Sequence, residues 1–272
     1  MKNRPVLLFF ILTFAITWGI GALYACFPGQ VVALFGPISN ASPLFYVAVY
    51  APSLSGLFVT AYADGRPGLR DLLRRLFHWR VGIRWYLVVF LGVPAILVGS
   101  AVLSARLSGQ PFKFEQGHKP LALWPVLISL LLDPGPLGEE LGWRGCALPR
   151  LLLRRTTLTA SVIVGLIWGL WHLPAFFING LPQNNFSLPA FLLATVALSV
   201  LMAWVYQHTN GSILFAILIH WLFNTDFLPR GTYPAVAVLL TVAALAVIGL
   251  NGPRLSRAPG TKVGTSRGIA LE

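Results

Sequence analysis

Acidic side chains are scarce in this chain: Asp and Glu supply 8 of 272 residues, and all charged residues together make up 10%. A soluble domain carries about a quarter charged residues, so an ordinary water-facing surface is excluded. Cysteine occurs twice, at Cys26 and Cys146, too few for a disulfide framework or a thiolate metal site. Both read as small packing residues. There is no H-E-x-x-H zinc motif, and no half-to-half repeat of the kind that builds many transporters. No polar stretch is long enough for a large soluble domain.

What is present is apolar, 56% of the residues. Hydrophobic runs lie at 6–26, 43–63, 85–105, 121–132 (continuing past a break), 158–178, 188–207, 212–228 and 233–250. Each approaches the ~20 residues that cross ~30 Å of hydrocarbon. The expected fold is all-α and polytopic, with about eight transmembrane helices around a cytoplasm-facing polar cavity. One integral membrane domain is expected over 1–250, followed by a flexible basic cytoplasmic tail over 251–272.

Charge sets the orientation. With the N-terminus inside, 16 of the 20 basic residues fall in inner segments, and only Arg106, Lys113, Lys119 and Arg230 fall outside. That satisfies the positive-inside rule and predicts a multi-pass cell-membrane protein with both termini cytoplasmic. The net charge of +12 is therefore topological, since no single basic face interleaves with aromatics as nucleic-acid binding requires. Met1-Lys-Asn-Arg4 has the form of a signal-peptide n-region, but the apolar run behind it exceeds a 7–15-residue h-region. An uncleaved first span is the better reading. Leu23-Tyr-Ala-Cys26 resembles a lipoprotein cleavage box, against which the bulk of Tyr24 argues. Between 64 and 84, Leu69, Leu72, Leu73, Leu76 and Phe77 recur at helical spacing beside Arg70, Arg74 and Arg75. An amphipathic helix lying on anionic headgroups is expected there.

Three polar islands interrupt the apolar pattern. The first follows Asp133-Pro-Gly-Pro136, where proline breaks the fourth span and Asp133 has the form of an N-cap ahead of proline at the first helical position. On the restarted helix, Glu140 and Arg144 are four apart and share a face in the favoured order. Glu139 points elsewhere and has no basic residue three or four positions on, so it is the acid left to act as a general base. Gly138, Gly142 and Gly145 leave one helix surface small enough for close packing. The second island is Trp168-Gly-Leu-Trp-His172, and the third is His220-Trp-Leu-Phe-Asn224. The latter puts a ring nitrogen and a carboxamide on one face, where both can meet one developing oxyanion, or simply each other. Counted from the inner surface, Glu139 and His220 sit roughly 10 Å deep and His172 roughly 15–20 Å. One wet pocket can hold them all, with Glu139 and His172 polarising a water and His220 and Asn224 holding a carbonyl oxygen.

Taken in order on successive spans, E-E-x-x-x-R, aromatic-x-x-x-H and H-x-x-x-N resemble the CAAX prenyl protease and bacteriocin-processing family of intramembrane proteases, to which the type II CAAX prenyl endopeptidases belong. The resemblance covers 120–228 by motif. It implies an intramembrane endopeptidase, with Glu139 activating water, His172 as its partner, and His220 and Asn224 stabilising the oxyanion. Glu140 and Arg144 support them. Trp168 stands where the family usually has phenylalanine, which keeps an aromatic wall. A metal-free glutamate mechanism is expected, with zinc on Glu139, His172 and His220 as the minor alternative. The implied substrate is a peptide or membrane-anchored protein met at the lipid bilayer, a prenylated protein being one case. The chain's own C-terminus carries no prenylation motif. A proton-coupled transporter and a non-catalytic immunity or scaffold protein are the competing classes.

Overall fold

The structure, a computed structural model, describes residues 4–39, 42–112, 128–130, 132–225 and 229–255. It is helical, with no strand among the described residues. Helices α1 (Arg4–Cys26), α2 (Pro28–Phe35), α3 (Pro43–Leu76) and α4 (Ile83–Leu107) come first. After the residues outside the description come α5 (Pro134–Gly142), a π-helical turn (Trp143–Ala147) and α6 (Leu148–Leu152). Helices α7 (Thr157–Trp171), α8 (Leu188–His208), α9 (Ile213–Asn224) and α10 (Tyr233–Asn251) complete the chain.

Five of these, α1, α3, α4, α8 and α10, are long and apolar enough to cross a membrane. Their positions match the runs read from the sequence. The first part of the expected fourth span, up to residue 127, lies outside the described residues. Only 22% of the apolar window of α1 and of α4 is buried, against 56% for α8. Helix α8 is thus the inner post, while α1 and α4 turn side chains such as Leu7, Ile11, Leu87 and Leu91 outward. Such surface needs lipid around it. The chain is a multi-pass membrane protein.

Tight backbone packing joins α3 to α5. A Cβ on Gly138 would stand 2.8 Å from the carbonyl oxygen of Val49, and one on Gly142 would run into Pro52. Only hydrogen fits at either place, so the small-residue surface works as its spacing suggested. Ser53 Oγ donates to the Leu137 carbonyl across the same contact at 2.7 Å. Pro52, inside α3, cannot donate to the carbonyl of Ala48; Thr17 of α1 does so instead, with Oγ1 at 2.8 Å.

The arginine-rich segment is not simply a surface helix. Helix α3 continues through it to Leu76, kinked at Gly65 (φ 62°). Leu72 is fully buried beside Leu141, Ile213 and Ile217. Arg75 donates to Asp71 at 2.8 Å, to the Tyr206 hydroxyl at 2.8 Å and to the Gly145 carbonyl at 3.1 Å. That last carbonyl has lost its helical donor to Pro149. Arg150 likewise pairs with Asp64. Amphipathic spacing cannot tell lipid headgroups from a neighbouring helix, and here the protein takes Leu72 and Arg75 while Leu73 and Phe77 stay exposed. At the other boundary, Asn251 still belongs to α10, Leu255 is buried, and the Pro253 carbonyl accepts from Leu158 N at 3.0 Å. The expected tail beyond that, 256–272, lies outside the described residues.

Three helices stop short. At 1.5 Å per residue, the 15 residues of α7 reach roughly 22 Å and the 12 of α9 roughly 18 Å. Helix α5 begins at a break within the fourth hydrophobic run. Helix ends carry unpaired backbone groups, which hydrocarbon tolerates only against protein or water. The N-terminus of α5 and the C-termini of α7 and α9 all meet at one cavity.

Candidate active site

That cavity, about 1120 Å³, is lined by Glu139, Trp168, His172, His220 and Asn224 together. All four residues proposed to do chemistry are therefore brought to one space. Helix α5 starts as its sequence predicts: Asp133 Oδ1 accepts from Gly135 N at 3.0 Å, with Pro134 in the first turn. The restart sets Glu139 and Glu140 in the second turn, both buried.

Glu140 is committed. Both its oxygens accept from Arg144 Nη1, at 2.9 and 3.0 Å, and its Oε1 also accepts from His220 Nδ1 at 2.8 Å. The side chains of Glu140 and Arg144 are 0% exposed, so this ion pair is cut off from water and lipid alike. Sequence spacing identified the Glu140–Arg144 pair but not the histidine that joins it, which comes from a helix 80 residues on. This contact takes Nδ1, one of the two ring nitrogens of His220.

Glu139 has no ion-pair partner among the described residues, yet it is not free. The Trp168 indole N–H donates to its Oε2 at 2.5 Å. Trp168 was read as an aromatic wall and proves to be the hub of the site. Its ring lies 4.5 Å from the Arg144 guanidinium carbon, meets His220 edge-on at 5.3 Å and His172 at 5.9 Å, and its own carbonyl accepts from His172 Nδ1 at 2.8 Å. The cation over its face is favourable in a dry site. Phenylalanine could supply the stacking but not the bond to Glu139.

The two histidines differ in what they offer. A carbonyl oxygen only accepts, so His172 carries its proton on Nδ1 and keeps Nε2 as an acceptor. It stands at the C-terminus of α7, ringed by Trp171 and Phe191. His220 donates from Nδ1 to a carboxylate, which leaves its Nε2 for the cavity side. Asn224, the last residue of α9, is exposed to the cavity. A Cβ on Gly135 would stand 2.9 Å from Asn224 Nδ2 and 3.6 Å from Glu139 Oε1. Amide and carboxylate thus flank one small space that Gly135 keeps open, a role no spacing rule marks.

The cavity also has an aromatic arm. Phe186 and Tyr233 pack at a tilt of 33° with ring centroids 3.9 Å apart, and Phe191 joins both. Arg230 lines it as well and donates to the Phe223 carbonyl at the end of α9, at 2.6 Å. These residues come from separate loops and helix starts, so no periodicity could gather them.

One expectation is reversed. The pocket was expected to open toward the arginine-bearing inner segments, whereas it lies in the opposite half of the bundle. Helix α5 restarts at Asp133 and runs toward those arginines, so Glu139, in its second turn, belongs to the far half. Helices α7 and α9 run the other way and place His172, His220 and Asn224 near their distal ends.

A family model for type II CAAX prenyl endopeptidase, Rce1-like, matches residues 119–225. The chain is also similar to the CAAX prenyl protease 2 of Methanococcus maripaludis, 29% identical over 236 residues that cover 83% of this chain and 84% of that protein. The likeness to the Rce1-like model is confined to residues 119–225, while the likeness to the archaeal protease runs over most of the chain. The matched segment runs from the fourth span through Asn224, so all three polar islands fall inside the Rce1-like region. The two matches support an intramembrane endopeptidase function for this multi-pass protein.

Proposed function

We propose that this endopeptidase hydrolyses a peptide bond near the membrane by activating water on Glu139, without a covalent enzyme intermediate. Glu139 takes a proton from water while His172 Nε2 orients it, and the oxygen attacks the scissile carbonyl carbon. The carbonyl becomes an oxyanion, met by Asn224 Nδ2 and by His220 Nε2. The C–N bond then breaks as Glu139 passes its proton to the leaving nitrogen, giving an acid and an amine.

For His220 to donate through both nitrogens, it must be an imidazolium, and Glu140 is its counter-ion at 2.8 Å. Glu139, Glu140, Arg144 and His220 then sum to zero, an arrangement that an apolar interior tolerates far better than any unpaired charge. The observation that carries the proposal is the Glu139 carboxylate, held by Trp168 and facing the same cavity as His172 and Asn224.

A metal-free mechanism is part of the proposal. Of the three residues that zinc would need, Glu139 already accepts from the Trp168 indole, and the proposal uses its carboxylate as the base instead. Among the described residues no three His, Cys, Asp or Glu side chains gather as a metal site. We further propose a membrane-anchored substrate held along the aromatic arm. The archaeal relative is named a prenyl protease, which favours a lipid-anchored substrate in general over a soluble one. The chain is placed in the cell membrane with both termini cytoplasmic.

Cleavage of a membrane-tethered reporter in proteoliposomes tests this, comparing the wild type with Glu139→Gln and His172→Ala. Both variants should insert and fold, and lose cleavage by a factor of about 10²–10⁴. Full activity in both would instead favour a site that binds without this chemistry.

A further inference from the structure

Arginine and cavity occupy opposite ends of the same helices. Helix α1 begins at Arg4 and contributes Thr17, Ile20 and Gly21 from its second half. Helix α3 contributes Tyr46 and Val49 from its start and ends among the six arginines between Arg66 and Arg84. Helix α10 contributes Tyr233 and Val236 from its start and is followed by Arg254. Between α5 and α7, three arginines from Arg150 to Arg155 sit at that same end, beyond the turn carrying Arg144.

The connections at the cavity end are of the opposite character. Residues 27–42 and 172–187 contain no Lys, Arg, Asp or Glu. Among the described residues, the cavity end carries Arg106, at the end of α4, and Arg230. Basic short segments are retained on the cytoplasmic side, and uncharged ones cross freely. The clustered arginines also suit an anionic inner leaflet.

We infer that the active-site cavity is entered from the extracytoplasmic side, and that the substrate is a membrane-anchored chain displaying its cleavable segment on that side. The substrate class rests on the endopeptidase reading above; the orientation does not. A segment tethered in the outer leaflet reaches the cavity past the short helices Leu173–Phe176 and Pro182–Asn185. A segment held in the cytoplasm meets the Arg75 and Arg150 networks instead, with the bundle between it and Glu139.

The chain's two thiols suit a direct test. Cys26 is exposed at the cavity end of α1, and Cys146 is buried. In a Cys26→Ser background, single cysteines are introduced at Asn185, exposed at the cavity end, and at Leu153, exposed among the arginines. A membrane-impermeant maleimide should shift the mass of the Asn185→Cys chain in intact cells. It should shift the Leu153→Cys chain only after permeabilisation. The reverse pattern overturns the inference.

A parallel arm uses two single-span reporters carrying the same cleavable segment on opposite sides of the membrane. Cleavage should occur on the extracytoplasmic side alone and vanish with Glu139→Gln. Glu139-dependent cleavage on the cytoplasmic side alone overturns the inference and leaves the endopeptidase intact. The expected labelling without Glu139-dependent cleavage on either side overturns the endopeptidase reading and the substrate class, with the orientation still standing.

Discussion

Replacing Arg144 with methionine removes the cation that touches both Glu140 oxygens, at 2.9 and 3.0 Å. Neither side chain is exposed at all, so no solvent replaces the lost partner. The carboxylate keeps one donor, His220 Nδ1 at 2.8 Å. Two unit charges ~4 Å apart attract by about 4 kcal/mol at an effective dielectric constant of 20, and removing one partner of a buried pair costs about 3–5 kcal/mol. Loss of the cation over Trp168 acts in the same direction. Glu140→Gln should cost a similar amount by stranding Arg144. The double variant Glu140→Gln, Arg144→Met removes both charges of that pair, leaves Glu139 to balance His220, and introduces a carboxamide oxygen that can still accept from His220. It should recover most of the loss, since a buried ion pair exchanged whole for neutral groups is often close to neutral in stability. Chemical denaturation of the four purified chains in detergent micelles, followed by helical circular dichroism, completes the cycle. Single losses below about 1 kcal/mol that simply add in the double variant would show instead that the pair is neither dry nor coupled.

Trp168→Phe keeps the ring but drops the donor to Glu139. A hydrogen bond to a charged group contributes about 1.5–3 kcal/mol, so kcat should fall by roughly 10–100-fold with the fold preserved; an unchanged kcat in a reporter assay would reduce Trp168 to a wall. Gly135→Ala puts a methyl group 2.9 Å from Asn224 Nδ2, and should reduce turnover more than it reduces stability, as paired cleavage and denaturation curves would show. Exhaustive chelation should leave cleavage unchanged, and elemental analysis should find less than stoichiometric zinc. One zinc per active chain would instead replace the metal-free mechanism.

Some of the site could be read in the sequence because it is local. Glu140 and Arg144 share one helix face by spacing alone, and the restart at Asp133-Pro134 follows from an N-cap ahead of a residue that cannot donate. Gly138 and Gly142 announced a close helix contact, though not that Val49 and Pro52 would fill it. The bond from His220 to Glu140 spans 80 residues and the bond from Trp168 to Glu139 spans 29. No periodicity encodes either. Trp168 was underestimated because an indole reads as bulk in a hydrophobic pattern, while its single N–H acts only when a carboxylate is brought to it.

By itself the sequence determined that the chain lives in a bilayer, where its five long apolar helices lie and which residue types are costly enough to be functional, because hydrophobicity and charge act residue by residue. Only the tertiary structure decided which carboxylate is neutralised, which is left facing the cavity, and at which end of the bundle that cavity lies. Those outcomes depend on where α5, α7 and α9 stop relative to one another, and a helix end has no meaning for its neighbours until the helices are packed.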